Sequence, residues 1–205
     1  MPSLISENPP PLEPAALNTA DPQHWRSERF QDGYASRAGA LAQAREVFLH
    51  GCGLPAAWQG REHFTVLETG FGLGNNFLAT WQAWRADPRR PRRLFFLSLE
   101  RYPLQRAELT AAHAGSELAE LAEQLLAQWP PLAPGLHRLD FEGGALTLLL
   151  ALGDIDTTLP AFRAEVDAFF LDGFAPDRNP AMWNARTLQT LVRLARPSAR
   201  AATWS

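Results

Sequence analysis

The chain has 205 residues, of which 46% are apolar and 20% are charged, and its formal net charge is -3. This length and composition predict one globular domain with a substantial core. The single cysteine, Cys52, excludes an intramolecular disulfide, and the five histidines show no paired ligand spacing, so we expect no metal site. The charge argues against nucleic-acid binding over the whole surface, although a local basic patch can still attract a polyanion.

The N-terminal segment is rich in proline and has no hydrophobic periodicity. We predict that residues 1–24 form a tail or an extended arm packed on the domain, and that residues 25–205 form the domain itself. The N-terminus has neither a basic region nor an apolar segment of the signal-peptide type, and no later run reaches the length of a membrane span. We therefore expect a cytoplasmic protein without membrane contact. A helical pattern follows over residues 39–49, before Gly51 and Gly53.

The next segment, FTVLETGFGLGNNFL at residues 64–78, is a short apolar strand that leads through a glycine-rich turn into a helix. Gly70, Gly72 and Gly74 follow Glu68 in the pattern E-x-G-x-G-x-G, which differs from the dinucleotide pattern G-x-G-x-x-G. Glycine lacks Cβ and tolerates positive φ, so a ligand can approach the backbone closely. An ordinary β-to-α turn is the alternative. Three alternating glycines favour a cofactor site, and S-adenosylmethionine suits this spacing better than NAD.

The rest of the chain alternates between helical and strand patterns. The helix after the turn carries Trp81 and Trp84, which we expect in the core, and Asp87-Pro88 should end it. The later predicted elements are a strand at 94–99, a helix from Ser116 to Trp129, two strands within 136–153, a strand at 166–171, one helix from Asn179-Pro180 to Pro197, and a strand at 199–204. This alternation predicts a doubly wound, mostly parallel, Rossmann-like α/β sheet with right-handed crossovers.

Between the helix and the strand at 94–99 lies the densest basic cluster of the chain. Its members are Arg85, Arg89, Arg90, Arg92 and Arg93. The cluster could contact RNA, or it could be a solvated loop that leads into a strand. No aromatic residue alternates with these arginines to stack on bases, so both interpretations stay open.

Acidic residues lie at or just after the predicted ends of several strands: Glu68, Glu100, Asp154 and Asp172. In a doubly wound sheet the ligand binds beyond the carboxyl ends of the strands, where the strand order reverses. Glu100 is placed where a carboxylate accepts hydrogen bonds from both ribose hydroxyls. Asp154 would reach the adenine end, with Ile155 packed on the ring. Each acid alone could be a helix N-cap or a solvated loop residue, but together they indicate a ligand site.

The chain resembles a known family on the segments ETGFGLGNNFL, LSLERYPL, GDI and, above all, FFLDGFAPDRNPAMW followed by LVRLARP. From roughly Trp25 to Ser205 it is similar to the methyltransferase domain of the bifunctional tRNA 5-methylaminomethyl-2-thiouridine biosynthesis family. The resemblance implies a class I methyltransferase fold that uses S-adenosyl-L-methionine to methylate the 5-aminomethyl nitrogen of the wobble uridine in tRNA. It also implies an oxidase partner, as a domain or a protein, that binds FAD and prepares this amine.

The resemblance also implies roles for individual residues. It places Asp172 and Phe174 against the acceptor, where the Asp172 carboxylate could accept hydrogen bonds from a primary amine; Asp172 could instead only cap its loop. The implied cofactor contacts are Glu68, Gly70, Gly72, Gly74, Asn76, Phe77, Glu100 and Asp154.

The sequence departs from the family pattern at several places. Tyr34-Ala35-Ser36 stands where an aromatic-serine pair is usual, Asn75 replaces an apolar residue, and Pro197-Ser198-Ala199 replaces Pro-Gly-Gly. The family pattern continues beyond Ser205 with a helix, two strands and the oxidase domain, so we expect a chain without its last strands and with an exposed edge at its final strand. The competing hypotheses are a methyltransferase for small-molecule amines and a catalytically silent remnant that binds the cofactor, with an NAD dehydrogenase last.

Overall fold

The computed structural model describes residues 12–20, 25–34 and 39–204. The strands of its main sheet are β4 (His63–Thr69), β5 (Arg93–Glu100), β6 (Gly135–Phe141), β7 (Leu146–Leu152), β8 (Val166–Leu171) and β9 (Ala195–Thr203). Their spatial order is β6-β7-β5-β4-β8-β9. All neighbours pair in parallel except β6, which is antiparallel to β7. The predicted doubly wound, mostly parallel α/β class is therefore confirmed.

Helices connect the strands and cover the sheet. They are α1 (Ala40–Gln43), which continues as a π-helix over Ala44–His50, α2 (Asn75–Ala86), α3 (Arg106–His113), α4 (Ala119–Ala127), α5 (Ile155–Thr158), α6 (Pro180–Trp183) and α7 (Ala185–Leu194). None of those in the described ranges is long and apolar enough to cross a membrane.

Three local differences from the predicted elements have physical reasons. Helix α3 was not predicted; its signal is a capping box in which Gln105 and Glu108 bond each other's backbone N–H. The single helix predicted from Asn179 is two helices, because the Asn184 side chain accepts a hydrogen bond from the Thr187 N–H and starts α7. Strand β9 begins at Ala195, earlier than expected, with a register shift against β8.

The strands β4 and β5 are apolar on both faces because both faces lie in the core. Both strands are internal to the sheet, and helices cover them on each side. Trp81 and Trp84 of α2 are buried, as predicted, and the Trp81 ring packs 4.6 Å from that of Phe141. Each such large apolar side chain contributes about 1.5–3 kcal/mol by its burial. This packing fixes α2 on the sheet and thereby fixes the turn that precedes it.

A second, antiparallel sheet is formed by β1 (Leu17–Asn18), β2 (Arg26–Ser27) and β3 (Asp32–Gly33). Its loops meet the segment after β8: the Ala175 N–H donates to Asp32 Oδ2 at 3.3 Å, and Arg178 donates to the Phe30 carbonyl at 3.3 Å. The strand β1 belongs to the predicted N-terminal arm, of which residues 12–20 are described. The rest of that arm lies outside the described residues, as do Ala35 and Ser36.

Candidate active site

A cavity of about 450 Å³ lies at the carboxyl ends of β4, β5 and β8. Strands β5 and β8 flank β4 on opposite sides, so the strand order reverses here, where open α/β sheets bind ligands. The predicted site residues that line the cavity are Gly70, Gly72, Asn76, Glu100, Asp154, Asp172 and Phe174. The structure places Glu68, Gly74 and Phe77 behind this wall: Glu68 and Phe77 are fully buried, and Gly74 caps the start of α2.

The glycine turn passes close to two other segments of the chain. Gly70 has φ +91°, and a Cβ built on it would lie 2.6 Å from the carbonyl oxygen of Asp172. Gly72 has φ +50°, and its Cβ would lie 3.3 Å from Tyr34 Cδ1. A side chain at Gly70 would therefore clash with backbone, and both positions carry a conformation that other residues rarely adopt.

Glu100 ties the end of β5 to the glycine turn. Its Oε2 accepts a hydrogen bond from the Gly72 N–H at 2.9 Å, and its Oε1 accepts one from the Tyr102 N–H at 2.7 Å. Burial raises the pKa of this carboxyl, while these backbone donors act in the opposite direction. The backbone N–H groups of Arg101 and Phe71 act on the carboxyl in the same direction, so a ligand hydroxyl would share it with these backbone donors.

Asp154 is a helix N-cap, as one of the two interpretations of the sequence has it, and it also lies at the cavity wall. It is the N-cap of α5, where its side chain accepts a hydrogen bond from the Asp156 N–H at 2.9 Å, and it also lines the cavity beside Ile155. Its other carboxylate oxygen pairs with Arg101. The N-cap fixes the orientation of the carboxylate at the cavity wall.

Asn76 joins two acidic side chains behind and beside the cavity. Its Nδ2 donates to Asp172 Oδ2 at 2.7 Å and to Glu68 Oε1 at 2.9 Å. Burial raises the pKa of Asp172 to about 7, although the hydrogen bonds from Asn76 and Gly173 oppose the rise. Burial also raises the pKa of Glu68 well above its usual range, and the nearby Asp172 charge adds to this effect. The site thus holds a carboxyl that can exchange a proton near neutral pH.

Aromatic rings form the wall next to Asp172. The Phe174 ring stacks on Phe30 at a centroid distance of 4.5 Å, and Tyr34 meets it edge-on at 5.4 Å. The Trp183 indole N–H donates to the Phe174 carbonyl at 3.0 Å and holds the loop. Sequence reasoning did not assign Phe30 or Tyr34 to the site. They lie in a segment without periodicity, so no local pattern identifies them.

Two arginines line the cavity, but the basic cluster predicted from the sequence lies at the opposite end of β5. Arg29 and Arg101 line the cavity, with guanidinium carbons 4.4 and 5.3 Å from the centre of the Tyr102 ring. The cluster at residues 85–93 lies at the amino end of β5, whose length of eight residues separates it from the cavity by roughly 23 Å. In that cluster Arg85 pairs with Glu142.

The residues that the structure describes contain no group of three or more histidine, cysteine, aspartate or glutamate side chains placed to hold a metal ion.

Comparison with known proteins agrees with this architecture. A family described as S-adenosyl-L-methionine-dependent methyltransferase matches residues 116–205. Together with the sheet order and the glycine turn, this match supports the class I methyltransferase fold. The MnmC2 structure from Aquifex aeolicus has the same fold, with a TM-score of 0.71 at 22% identity over 98% of this chain and 61% of that one.

The particular relatives are long, two-function proteins. The chain is 55% identical over 195 residues to the tRNA 5-methylaminomethyl-2-thiouridine biosynthesis bifunctional protein MnmC of Methylibium petroleiphilum, covering 95% of this chain and 30% of that protein. It is 54% identical over 198 residues to the protein of the same name from Cupriavidus necator, covering 96% of this chain and 30% of that protein. The resemblance predicted from the sequence is confirmed. The chain spans about 30% of the length of these curated relatives.

Proposed function

We propose that this chain uses S-adenosyl-L-methionine to methylate the 5-aminomethyl group of wobble 2-thiouridine in tRNA, giving 5-methylaminomethyl-2-thiouridine. The observation that carries the proposal is the position of Asp172, a carboxylate that lines the cavity at the strand-order reversal and abuts the glycine turn. The names of the relatives, which concern biosynthesis of this nucleoside, support the choice of substrate.

The cavity residues fit S-adenosylmethionine on two grounds. At Gly70 any Cβ would meet the backbone of Asp172, so the turn is shaped for close approach and not for a side chain. Glu100 lines the cavity, where its carboxylate would accept hydrogen bonds from ribose hydroxyls, and Asp154 with Ile155 offers a polar and an apolar contact for the adenine. When bound, this cofactor supplies a methyl group on a positively charged sulfur.

Asp172 would serve the acceptor amine by accepting its proton. A primary amine is largely protonated at neutral pH and then has no lone pair for attack. Because the pKa of Asp172 is about 7, its carboxylate would take a proton from the ammonium nitrogen and free its lone pair. The nitrogen–methyl bond would form as the methyl–sulfur bond breaks, and neutral S-adenosylhomocysteine would be the leaving group. The proton ends on Asp172 and is later released to solvent. A hydrogen bond to the same carboxylate would also aim the nitrogen, which is a large part of the rate enhancement.

The side chains that line the cavity suggest how the wobble uridine and the neighbouring phosphates of tRNA would bind. Phe174 and Phe30 stack on each other and form an aromatic wall that suits a flat uracil. Arg29 and Arg101, which pair with Glu13 and Asp154, would supply positive charge for neighbouring phosphates. An oxidase that binds FAD, as a further domain or a separate protein, would prepare the amine in our proposal. We propose that the reaction takes place in the cytoplasm, where the substrate tRNA is found. We assign it to a domain of residues 25–205.

A calorimetric titration with S-adenosylmethionine, with NAD as the control, tests the cofactor assignment. We expect micromolar affinity for the first and none for the second. Methyl transfer is then measured on tRNA that carries the unmethylated aminomethyl uridine and on the free nucleoside. A strong, salt-sensitive preference for tRNA supports the proposal. Equal rates on both would favour the small-molecule amine methyltransferase, and a folded chain without cofactor affinity would favour the silent remnant.

A further inference from the structure

We propose that Glu68 and Asn76 are positioning residues for Asp172: the buried Glu68 carboxyl orients the Asn76 amide, which holds one oxygen of Asp172 and leaves the other for the acceptor. This inference rests on the proposed function for its catalytic meaning. The arrangement itself stands on three hydrogen bonds that join β4, β5, α2 and the end of β8.

The Asn76 amide is committed to the two acids. Its NH₂ group has two hydrogens, and the two acceptors, Glu68 Oε1 and Asp172 Oδ2, lie 2.9 and 2.7 Å from the nitrogen. A flipped amide would turn its oxygen toward two carboxyl groups, so the donor orientation is favoured as long as both acceptors remain. Asn76 is buried in the first turn of α2, and its backbone carbonyl accepts a hydrogen bond from Thr80 Oγ1 at 2.6 Å.

Glu68 is the fixed end of this arrangement. It is 0% exposed, and its second oxygen accepts a hydrogen bond from Ser98 Oγ at 2.6 Å. Glu68 and Ser98 are directly paired residues of β4 and β5, in the centre of the sheet. The Glu68 carboxyl therefore has little freedom to move, and it transmits this order to Asn76.

The charge of Glu68 also matters for Asp172. The titratable groups that act on Glu68 are Asp172 after β8 and Glu100 on β5, and both raise the pKa of Glu68 in addition to the effect of burial. In the proposed arrangement Glu68 keeps its proton when Asp172 ionises. In that state it accepts the Asn76 hydrogen bond through its carbonyl oxygen and adds no second negative charge next to Asp172.

A titration of the Asp172 carboxyl tests the inference without any substrate. The carboxyl carbon resonance is followed by NMR from pH 4 to pH 9 in the full 205-residue chain, and Asp172→Asn identifies the signal. In Asn76→Ala we expect the midpoint to rise by about one to two pH units, because the ionised form loses a hydrogen bond from an amide. Glu68→Leu should raise it in the same direction, since it removes the acceptor that orients Asn76.

The conservative variant separates positioning from charge. Glu68→Gln keeps a carbonyl oxygen for Asn76, so we expect the Asp172 midpoint to return to within about half a pH unit of wild type. As a matched control, Asp167→Asn removes another buried carboxyl of β8, one that pairs with Arg61 at the opposite edge of the sheet. It should lower stability and leave the midpoint unchanged.

Two results would overturn the inference. The first is an unchanged Asp172 midpoint in a folded Asn76→Ala or Glu68→Leu chain. The second is a fall of more than one unit in Glu68→Gln, which would show that Glu68 is ionised and acts by repulsion. The pH profile of methyl transfer should shift with the midpoint. If the wild-type chain fails to methylate tRNA, the proposed function is lost, but the titration still decides whether Glu68 and Asn76 control Asp172.

Discussion

Two pairs of carboxylates differ in their surroundings: Asp140 and Glu142 lie at the amino edge of the main sheet, where the parallel strands begin, and Glu68 and Asp172 lie at the carboxyl edge, where those strands end. At the amino edge Asp140 pairs with Arg138, and Glu142 with Arg85. At the carboxyl edge Glu68 and Asp172 meet amide, hydroxyl and backbone donors, and no arginine pairs with either of them in the part of the chain that the structure describes.

The pKa values follow this division. The Arg138 hydrogen bond lowers the pKa of Asp140, and for Glu142 the hydrogen bonds from Trp81 and Arg85 outweigh the effect of burial and lower it as well. Burial without a cation raises the pKa of Glu68 and Asp172. Asp140 and Glu142 are therefore held as charges that contribute to structure, whereas Asp172 keeps a proton within reach of neutral pH, which suits chemistry.

The largest effect that this comparison predicts is the loss of methyl transfer on removal of Asp172. Asp172→Ala should lower kcat by about 10²–10⁴-fold, the usual contribution of a general base, while the dissociation constant for S-adenosylmethionine changes by only a few-fold. Single-turnover rates and calorimetry measure the two quantities. An equal loss of both would make Asp172 a cofactor ligand or a structural residue, and the contrast between the edges would then lack its catalytic meaning.

The next effect concerns the turn on which the cavity is built. Gly70→Ala adds a methyl group that would lie 2.6 Å from the Asp172 carbonyl oxygen, at a φ of +91°. We expect cofactor affinity to fall by about 100-fold, because either the turn or the Asp172 loop must move. Calorimetric titration of the folded variant measures this change.

Gly60→Ala is the matched control for the backbone strain. Gly60 also has a positive φ, +73°, but nothing lies within 4 Å of the added Cβ. It should cost about 1–2 kcal/mol of stability and leave cofactor affinity unaltered. If both variants bind the cofactor like the wild type, the glycine turn is not part of the cofactor site.

The sequence predicted the parts of the fold that local patterns encode. The apolar strand 166–171 coincides with β8, and the glycine turn enters α2 as expected. Local patterns say less about which distant segments meet. The hydrophobic periodicity around Arg106 is short, and its capping box was the better signal of α3.

The site shows the same limit at the level of single residues. Glu68 and Asp172 were both predicted near the cofactor, but only the packing of α2 on the sheet shows that Asn76 bridges them and that Glu68 is sealed behind the cavity wall. Phe30 reaches Phe174 through a small sheet whose strands have two residues each, which is too short for a periodic pattern.

The two edges should also differ in how stability depends on pH. The folded pKa of Asp172, about 7, exceeds its ordinary value of 3.8, so its contribution to stability is present at acid pH and lost as pH rises through 7. Asp172→Asn should then stabilise the chain at pH 8, by about 1–2 kcal/mol because the carboxyl is partly exposed, and have little effect near pH 4.

Asp140→Asn, at the amino edge, should change the stability at pH 8 in the opposite direction. Its folded pKa is lowered, so its contribution is present at neutral pH and lost on acidification. The variant should destabilise the chain at pH 8 by less than about 1 kcal/mol, since both partners of the pair are largely exposed. Urea unfolding at pH 8 measures both variants. Destabilisation by Asp172→Asn at pH 8 would contradict the assignment of Asp172 as a carboxyl whose pKa is raised in the folded chain.

The smallest expected effect is on tRNA affinity, and it tests whether tRNA binds at the cavity or at the basic cluster of residues 85–93. Arg29 lies at the cavity, where it stacks on Tyr102 and pairs with Glu13, and Arg92 lies at the amino edge, where it pairs with Glu62. Arg29→Ala should weaken tRNA binding by about three- to ten-fold and reduce the slope of log K against log salt by about one, as expected for the loss of one phosphate contact. Arg92→Ala removes the same charge and should change neither quantity, because in our proposal the tRNA approaches the opposite edge. Fluorescence titrations at several salt concentrations measure both variants. If Arg92→Ala had the larger effect, the basic cluster at residues 85–93 would be the tRNA surface, and a long nucleic acid would have to reach both edges of the sheet at once.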